Sequence, residues 1–250
     1  MNDQRSRRVF LSTLGGTIVA ATWKPAAAQS AVGPFVLVHG AWHGGWCWRK
    51  VAGILGARGH DVFTPTLTGL GDRRHLANAD VALSTHVEDV IMMLEAEDLR
   101  DVVLVGHSYA GLVLGGVIQR QRDRLRQVIF LDAFLPEPGR SLQDSVPGLR
   151  FEEIAKASGD GWRVPMSSVF TLDDLGIHNA ADKQWMEPRI SDQPVRTFTE
   201  PSSIAPETLA SVPCSFILSS SIRRSCRRRI DQGSRVGRFA VSSTQVMMLW

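Results

Sequence analysis

What this 250-residue sequence lacks narrows its function before any motif is read. Its three cysteines, Cys47, Cys214 and Cys226, have no paired or CxxC spacing, so neither a disulfide framework nor a zinc site is expected. Buried small apolar side chains are the simpler reading of them. The apolar run from Val9 through Ala21 falls short of the roughly 20 residues a bilayer crossing needs, so no stable membrane span is expected. The glycines between Gly40 and Gly45 fit neither a phosphate loop nor a dinucleotide fingerprint, and no cofactor or metal is expected. An excess of positive charge is missing from the body of the chain. The net charge of +3 comes from the ends: +3 on residues 1–28 and +6 on residues 219–250, where seven arginines stand against Asp231, leave a net −6 on residues 29–218. A nucleic-acid partner is therefore not expected.

The chain is 44% apolar and 21% charged, which suits one folded α/β domain. Residues 1–28 read as an export signal rather than as structure. A charged start, the apolar run and Ala26-Ala27-Ala28 occur in signal order, and Arg7-Arg8 stands before the apolar run as in twin-arginine signals. The alternative is a chance arginine pair ahead of an amphipathic or anchoring helix. An exported protein, periplasmic or secreted, is the expectation.

From residue 29 the pattern alternates. Phe35-Val36-Leu37-Val38, Asp61–Thr64, Val102-Val103-Leu104-Val105 and Val128-Ile129-Phe130-Leu131 are short, β-rich apolar runs. Between them, Trp46–Ala57, Thr85–Glu97 and Tyr109–Gln121 read as helices, the second with Val87, Val90, Ile91 and Leu94 on one face. Fully apolar strands alternating with helices predict a mostly parallel sheet with helices on both faces. From about Pro136 to Pro206 the pattern breaks into Pro, Gly and polar clusters, too long for an ordinary loop, which predicts an inserted lid. Phe216-Ile217-Leu218 starts a further strand.

Gly106-His107-Ser108-Tyr109-Ala110-Gly111 falls between a strand and a helix. A nucleophilic serine needs that place, because a strained strand-to-helix turn lifts its hydroxyl above the sheet. A buried serine in a glycine-containing turn is the plainer alternative. Ala110 replaces the usual final glycine, and Gly111 follows it. Gly40 permits a sharp turn after the first strand, so the Ala41 and Tyr109 amides can converge as an oxyanion hole, at a helix N-terminus that favours negative charge.

These segments, with Thr64-Pro65-Thr66-Leu67-Thr68-Gly69-Leu70-Gly71, Asp72-Arg73 and Leu131-Asp132-Ala133-Phe134-Leu135-Pro136, resemble the α/β-hydrolase group of plant methyl-ester esterases, hydroxynitrile lyases and bacterial esterases and carbamate hydrolases. The resemblance covers residues 34 to about 218. It implies acyl transfer through Ser108 on a small ester or carbamate, an oxyanion hole from Ala41 and Tyr109, and a lid over an apolar pocket. The lyases carry threonine after the first histidine where this chain has Gly40, which favours hydrolysis. A non-catalytic small-molecule-binding protein is the reading from another class.

Half of the expected triad is missing. Serine needs an imidazole to take its proton and a carboxylate to hold that imidazole, in the order Ser, acid, His. After Ser108 the only histidine is His178, in the lid, and after Leu218 the only carboxylate side chain is Asp231. The resemblance places its acid at Ile222. Asp132 is a candidate acid with no histidine to orient. Residues 219–250, with seven Ser and seven Arg and no Lys or Glu, are poor material for a final strand and helix, which are expected to be incomplete. One shifted reading frame turns Ser221-Ile222-Arg223 into Asp-Pro and Gln245-Val246-Met247-Met248-Leu249 into Gly-His-Asp-Ala, given suitable codons. Coincidence in an arginine-rich tail is the alternative, but both motifs need one common frame.

The export reading has a direct test. Expressed in a bacterial host, the chain is expected to mature near Gln29, and replacing Arg7 and Arg8 by lysine to leave it unprocessed in the cytoplasm. Unchanged processing in that variant removes the twin-arginine assignment.

Overall fold

The computed structural model describes residues 33–146 and 148–218, and the backbone of Arg238–Val241. Six strands form one parallel sheet: β1 Phe35–Val38, β2 Val62–Phe63, β3 Val102–His107, β4 Leu125–Leu131, β7 Cys214–Leu218 and β8 Arg238–Val241, in the order β2-β1-β3-β4-β7-β8. The expected strands are all present. Asp61–Thr64 contracts to two residues, while the two later strands run longer than their apolar cores.

Successive residues of β1 and β3 enter different cores. Val36, Val38, Val102 and Leu104 face α2 (Leu83–Ala96) and α3 (Ala110–Gln121), and Leu37, Val103 and Val105 face α1 (Arg49–Gly56). Both faces are apolar because both are covered, which is why these strands read as unbroken apolar runs rather than as an alternation. The α1-side core is smaller, and Ile129, Leu131 and Ile217 are only half-buried. The helix expected over Trp46–Ala57 is divided: a 3-10 turn over Gly45–Trp48 precedes α1, and it buries Cys47 and Trp48 under the sheet. At the start of α2, the Thr85 hydroxyl accepts the Ala82 amide at 3.2 Å and caps a free donor.

The lid is more ordered than its sequence suggests. It carries four short helices, α4 Leu142–Ser145, α5 Phe151–Ala157, α6 Ala180–Met186 and α7 Arg196–Thr199. It also carries a two-stranded antiparallel ribbon, β5 Arg163–Val164 with β6 Gln193–Pro194. Strands this short leave no periodic signal. Of the tail, the structure describes one short sheet strand, with Ser215 beside Arg238 and Leu218 beside Val241. The outer edge of β7 presents unpaired backbone groups, and an extended segment satisfies them through its main chain whatever its composition. The export segment 1–28 and the rest of the tail, 219–237 and 242–250, lie outside the described residues. Among the described residues, no helix is long and apolar enough to cross a membrane.

The close fit of α3 on the sheet follows from two glycines of the serine turn. A Cβ at Gly106 would lie 2.7 Å from Leu114 of α3, and one at Gly111 would lie 1.9 Å from the carbonyl oxygen of Phe134. The second contact is with backbone and cannot relax by a side-chain rotation. Gly111→Ala is therefore expected to cost about 3 kcal/mol in urea unfolding, the upper end of overpacking effects. A loss under about 1 kcal/mol contradicts this packing.

Candidate active site

β3 ends at His107 and α3 begins at Ala110, so Ser108 occupies the bend between them. Its φ is +54°, in the left-handed region that non-glycine residues enter at a cost of about 1–3 kcal/mol. Three backbone hydrogen bonds hold it there: Ser108 donates to the Leu131 carbonyl at 3.3 Å, and its own carbonyl accepts the amides of Gly111 and Phe134, each at 3.1 Å. Ser108 is half-buried, and Tyr109 behind it is fully buried.

The turn after β1 meets this bend. A Cβ at Gly40 would lie 3.2 Å from the Ser108 Cβ and 3.0 Å from Nδ1 of His107, so the backbone leading into Ala41 passes directly over the serine. Among the described residues, the amides of Ala41 and Tyr109 have no hydrogen-bond acceptor. The two donors and the hydroxyl named from sequence thus come from adjacent turns at one edge of the sheet. Asp132 stands at the same edge, at the end of β4, with φ +44° and its amide donating to Ile217 at 2.8 Å.

The lid grips the β1 turn through Trp42, whose φ is +63°. The Trp42 amide donates to Oε1 of Gln193 and its indole N–H to the carbonyl of Val164, both at 2.8 Å, while its carbonyl accepts the Ser191 amide at 2.9 Å. Gln193 is fully buried and donates through Nε2 to the Thr197 hydroxyl at 2.8 Å. Phe198 of α7 packs edge-on against both Trp42 and Tyr109 and lies against Phe151. Sequence reading missed Gln193, because a lone glutamine 151 positions from its partner carries no local signal.

Most of the histidines are structural. His39 is fully buried; Nδ1–H donates to the Gly40 carbonyl at 2.8 Å and Nε2 accepts the Leu67 amide at 3.0 Å, so both ring nitrogens are engaged. His86 accepts the Tyr109 hydroxyl at Nδ1 and donates from Nε2 to the Thr68 carbonyl, each at 2.9 Å. His43 donates from Nδ1 to the Ala41 carbonyl at 2.6 Å. Burial lowers His39 to about 3 and holds His43 and His86 below the ordinary histidine range. His107 is lowered to about 4 by burial and by the neighbouring His43. His178, the histidine that follows Ser108 in sequence, is exposed on the lid and bonds Asp173 at 3.2 Å. Cys47 and Cys214 are buried free thiols, both raised by burial.

Comparison with known proteins gives a consistent set of likenesses. A family model described as the alpha/beta hydrolase family matches residues 35–246. The chain is 55% identical over 113 residues to the carbendazim hydrolyzing esterase of Nocardioides sp. (strain SG-4G), covering 45% of this chain and 47% of that protein. It is 31% identical over 159 residues to Methylesterase 2 of Arabidopsis thaliana, covering 62% of this chain and 59% of that one. The chain thus spans about half the length of the curated relatives it matches. Among solved structures, an extracellular alpha/beta-hydrolase from a Paenibacillus species superposes with a TM-score of 0.69 at 25% identity, over 82% of this chain and 88% of that one. A pyrethroid hydrolase from Sphingobium faniae shares the fold, with a TM-score of 0.62 at 24% identity over 84% of this chain and 88% of that one.

The buried histidines set the acid limit of this fold. Each has a folded pKa below its unfolded value, so the unfolded chain binds the extra protons. Their contribution is intact above pH ~6.5 and is lost as pH falls from there towards 4 for His86 and His107 and towards 3 for His39. Urea unfolding at pH 7 and pH 5 is expected to show a loss of about 2 kcal/mol at the lower pH for each of His39, His86 and His107. Equal stability at the two pH values contradicts their being buried in the neutral form.

Proposed function

The chain belongs to the alpha/beta hydrolase family, and on that premise we propose that it is a serine hydrolase of small carboxylic esters or carbamates, working through an acyl-enzyme at Ser108. The observation that carries this reading is the strained turn itself: Ser108 at φ +54°, at the end of a central strand, with the Gly40 backbone packed over it. Such strain persists only where surrounding bonds enforce it, and it raises the hydroxyl clear of the sheet. With a base in place, the Ser108 oxygen attacks the carbonyl carbon as its proton passes to that base, and the Ala41 and Tyr109 amides receive the charge that develops on the carbonyl oxygen. Collapse then breaks the bond to the leaving group, which departs with the proton and leaves the acyl-enzyme for water to hydrolyse. The esterase names of the relatives support the substrate class.

In this chain the reaction is impaired, because no acid and base stand where the fold puts them. His39 and His86 have both nitrogens committed, and His178 sits on the exposed side of the lid. A shifted frame across residues 219–250 accounts for both missing groups, and export through the twin-arginine route belongs to the same proposal. The absent base equally favours a binding protein that keeps the turn without the chemistry. Against a lyase stands Gly40, where the lyases carry threonine and where a Cβ would press on Nδ1 of His107 at 3.0 Å and on the Ser108 Cβ at 3.2 Å.

Hydrolysis of short aryl esters tests the proposal. The chain as it stands is expected to turn over at least about 10⁴-fold more slowly than a version with the alternative frame restored, whose activity Ser108→Ala abolishes. Fast turnover by the present chain, lost on Ser108→Ala, would show that a histidine already present serves as base. No turnover by the restored version leaves the binding-protein reading.

A further inference from the structure

A concavity is lined by none of the residues of the serine turn. A cleft of about 510 Å³ opens where Pro188 and Arg189 of the lid meet the loops around Gly45–Arg49, Thr64–Thr66 and Gly71–Arg74. Three guanidinium groups line it: Arg49 at the start of α1, Arg74 after β2, and Arg189 from the lid, with Asp72 as the carboxylate among the lining residues.

These arginines are unusual in this protein. Among the described residues, ten of the arginines pair with a carboxylate, and the four that do not are Arg49, Arg58, Arg74 and Arg189. Three of those four line the one cleft, in a body whose net charge is negative. Two of the three are held in place. The Cζ atoms of Arg49 and Arg189 lie over the Trp185 ring at 3.9 and 4.4 Å from its centroid, and Trp185 meets Trp46 edge-on at 5.3 Å. Arg189 also donates to the Trp185 carbonyl at 2.5 Å, and Arg74 donates to the Pro188 carbonyl at 3.3 Å. Each arginine keeps further N–H donors, because one guanidinium carries five. Like charges gathered around one concavity repel one another, and a low-dielectric wall focuses their field on whatever enters.

We propose that this cleft binds a small, multiply charged oxyanion, phosphate-bearing or polycarboxylate. Guanidinium groups match such oxygens in paired, charge-assisted hydrogen bonds. Arg189 comes from the lid and Arg49 and Arg74 from the core, so the bound anion ties the two together and stabilises the folded chain. The site does not depend on Ser108 or on any chemistry there.

The test titrates the full chain with sodium phosphate, with sodium citrate, and with sodium chloride at matched ionic strength, read by calorimetry and by thermal unfolding. Phosphate or citrate is expected to bind saturably and to raise Tm by about 3–6 °C at ten times Kd, while chloride does neither. Saturation by phosphate alone identifies a phosphate-bearing ligand, and by citrate alone a polycarboxylate. Arg74→Gln and Arg189→Gln are each expected to weaken binding roughly tenfold with the circular dichroism spectrum unchanged, whereas Arg58→Gln leaves affinity as it was. Absence of saturable binding by either anion overturns the proposal, and so does an Arg58→Gln effect as large as that of Arg74→Gln.

Discussion

Val38 of β1 lies beside Gly106 of β3, and what happens at the site follows from that register. Two residues further on, each segment has left its strand, and Gly40 and Ser108 pack so closely that a Cβ at Gly40 would lie 3.2 Å from that of Ser108. Parallel strands end on the same side of a sheet, so turns that are far apart in sequence arrive at one edge together. One residue of slip would move every side chain of β1 to the opposite core and carry Gly40 away from the serine. Both cores oppose that slip, because Val36 and Val38 are buried on one face and Leu37 on the other.

The lid adds a second constraint from above. Gln193, Val164 and Ser191 hold Trp42 at both its amide and its carbonyl, so the strained turn that carries Ala41 is tied to a ribbon about 120–150 residues away. Below it, Thr68 donates its amide and hydroxyl to Asp89, at 2.6 and 2.7 Å, and Arg73 reaches the same carboxylate at 2.8 Å. Polar groups buried this way cost stability unless they are satisfied, and both ring nitrogens of His39 and of His86 are spent on that satisfaction. An imidazole that donates to one carbonyl and accepts one amide has no lone pair left for a serine proton. His39 and His86 are thus structural, distinct from the general base the chemistry needs.

The strands and the serine turn were legible because their signals are local. A run such as Val102–Val105 has one stable use, as a strand covered on both sides, and Gly-His-Ser-Tyr-Ala-Gly after such a run has few uses other than a tight bend. The lid ribbon, the 3-10 turn at Gly45 and the strand at Arg238 were not legible. Each is a handful of residues whose conformation is set by a partner's backbone rather than by its own side chains.

By itself, then, the sequence determined the parallel α/β layering, the place of Ser108 between strand and helix, the glycine turn opposite it, and the missing histidine and carboxylate. These follow from apolar periodicity, from steric allowance at glycine, and from the plain inventory of side chains that can accept a proton. Tertiary structure alone decided that Gln193 holds Trp42, that His39 and His86 are neutral scaffolding, and that Arg49, Arg74 and Arg189 surround one cleft. Those outcomes depend on which distant segments touch, and a hydrogen bond or a repulsion between residues 18 to 151 positions apart leaves no pattern along the chain.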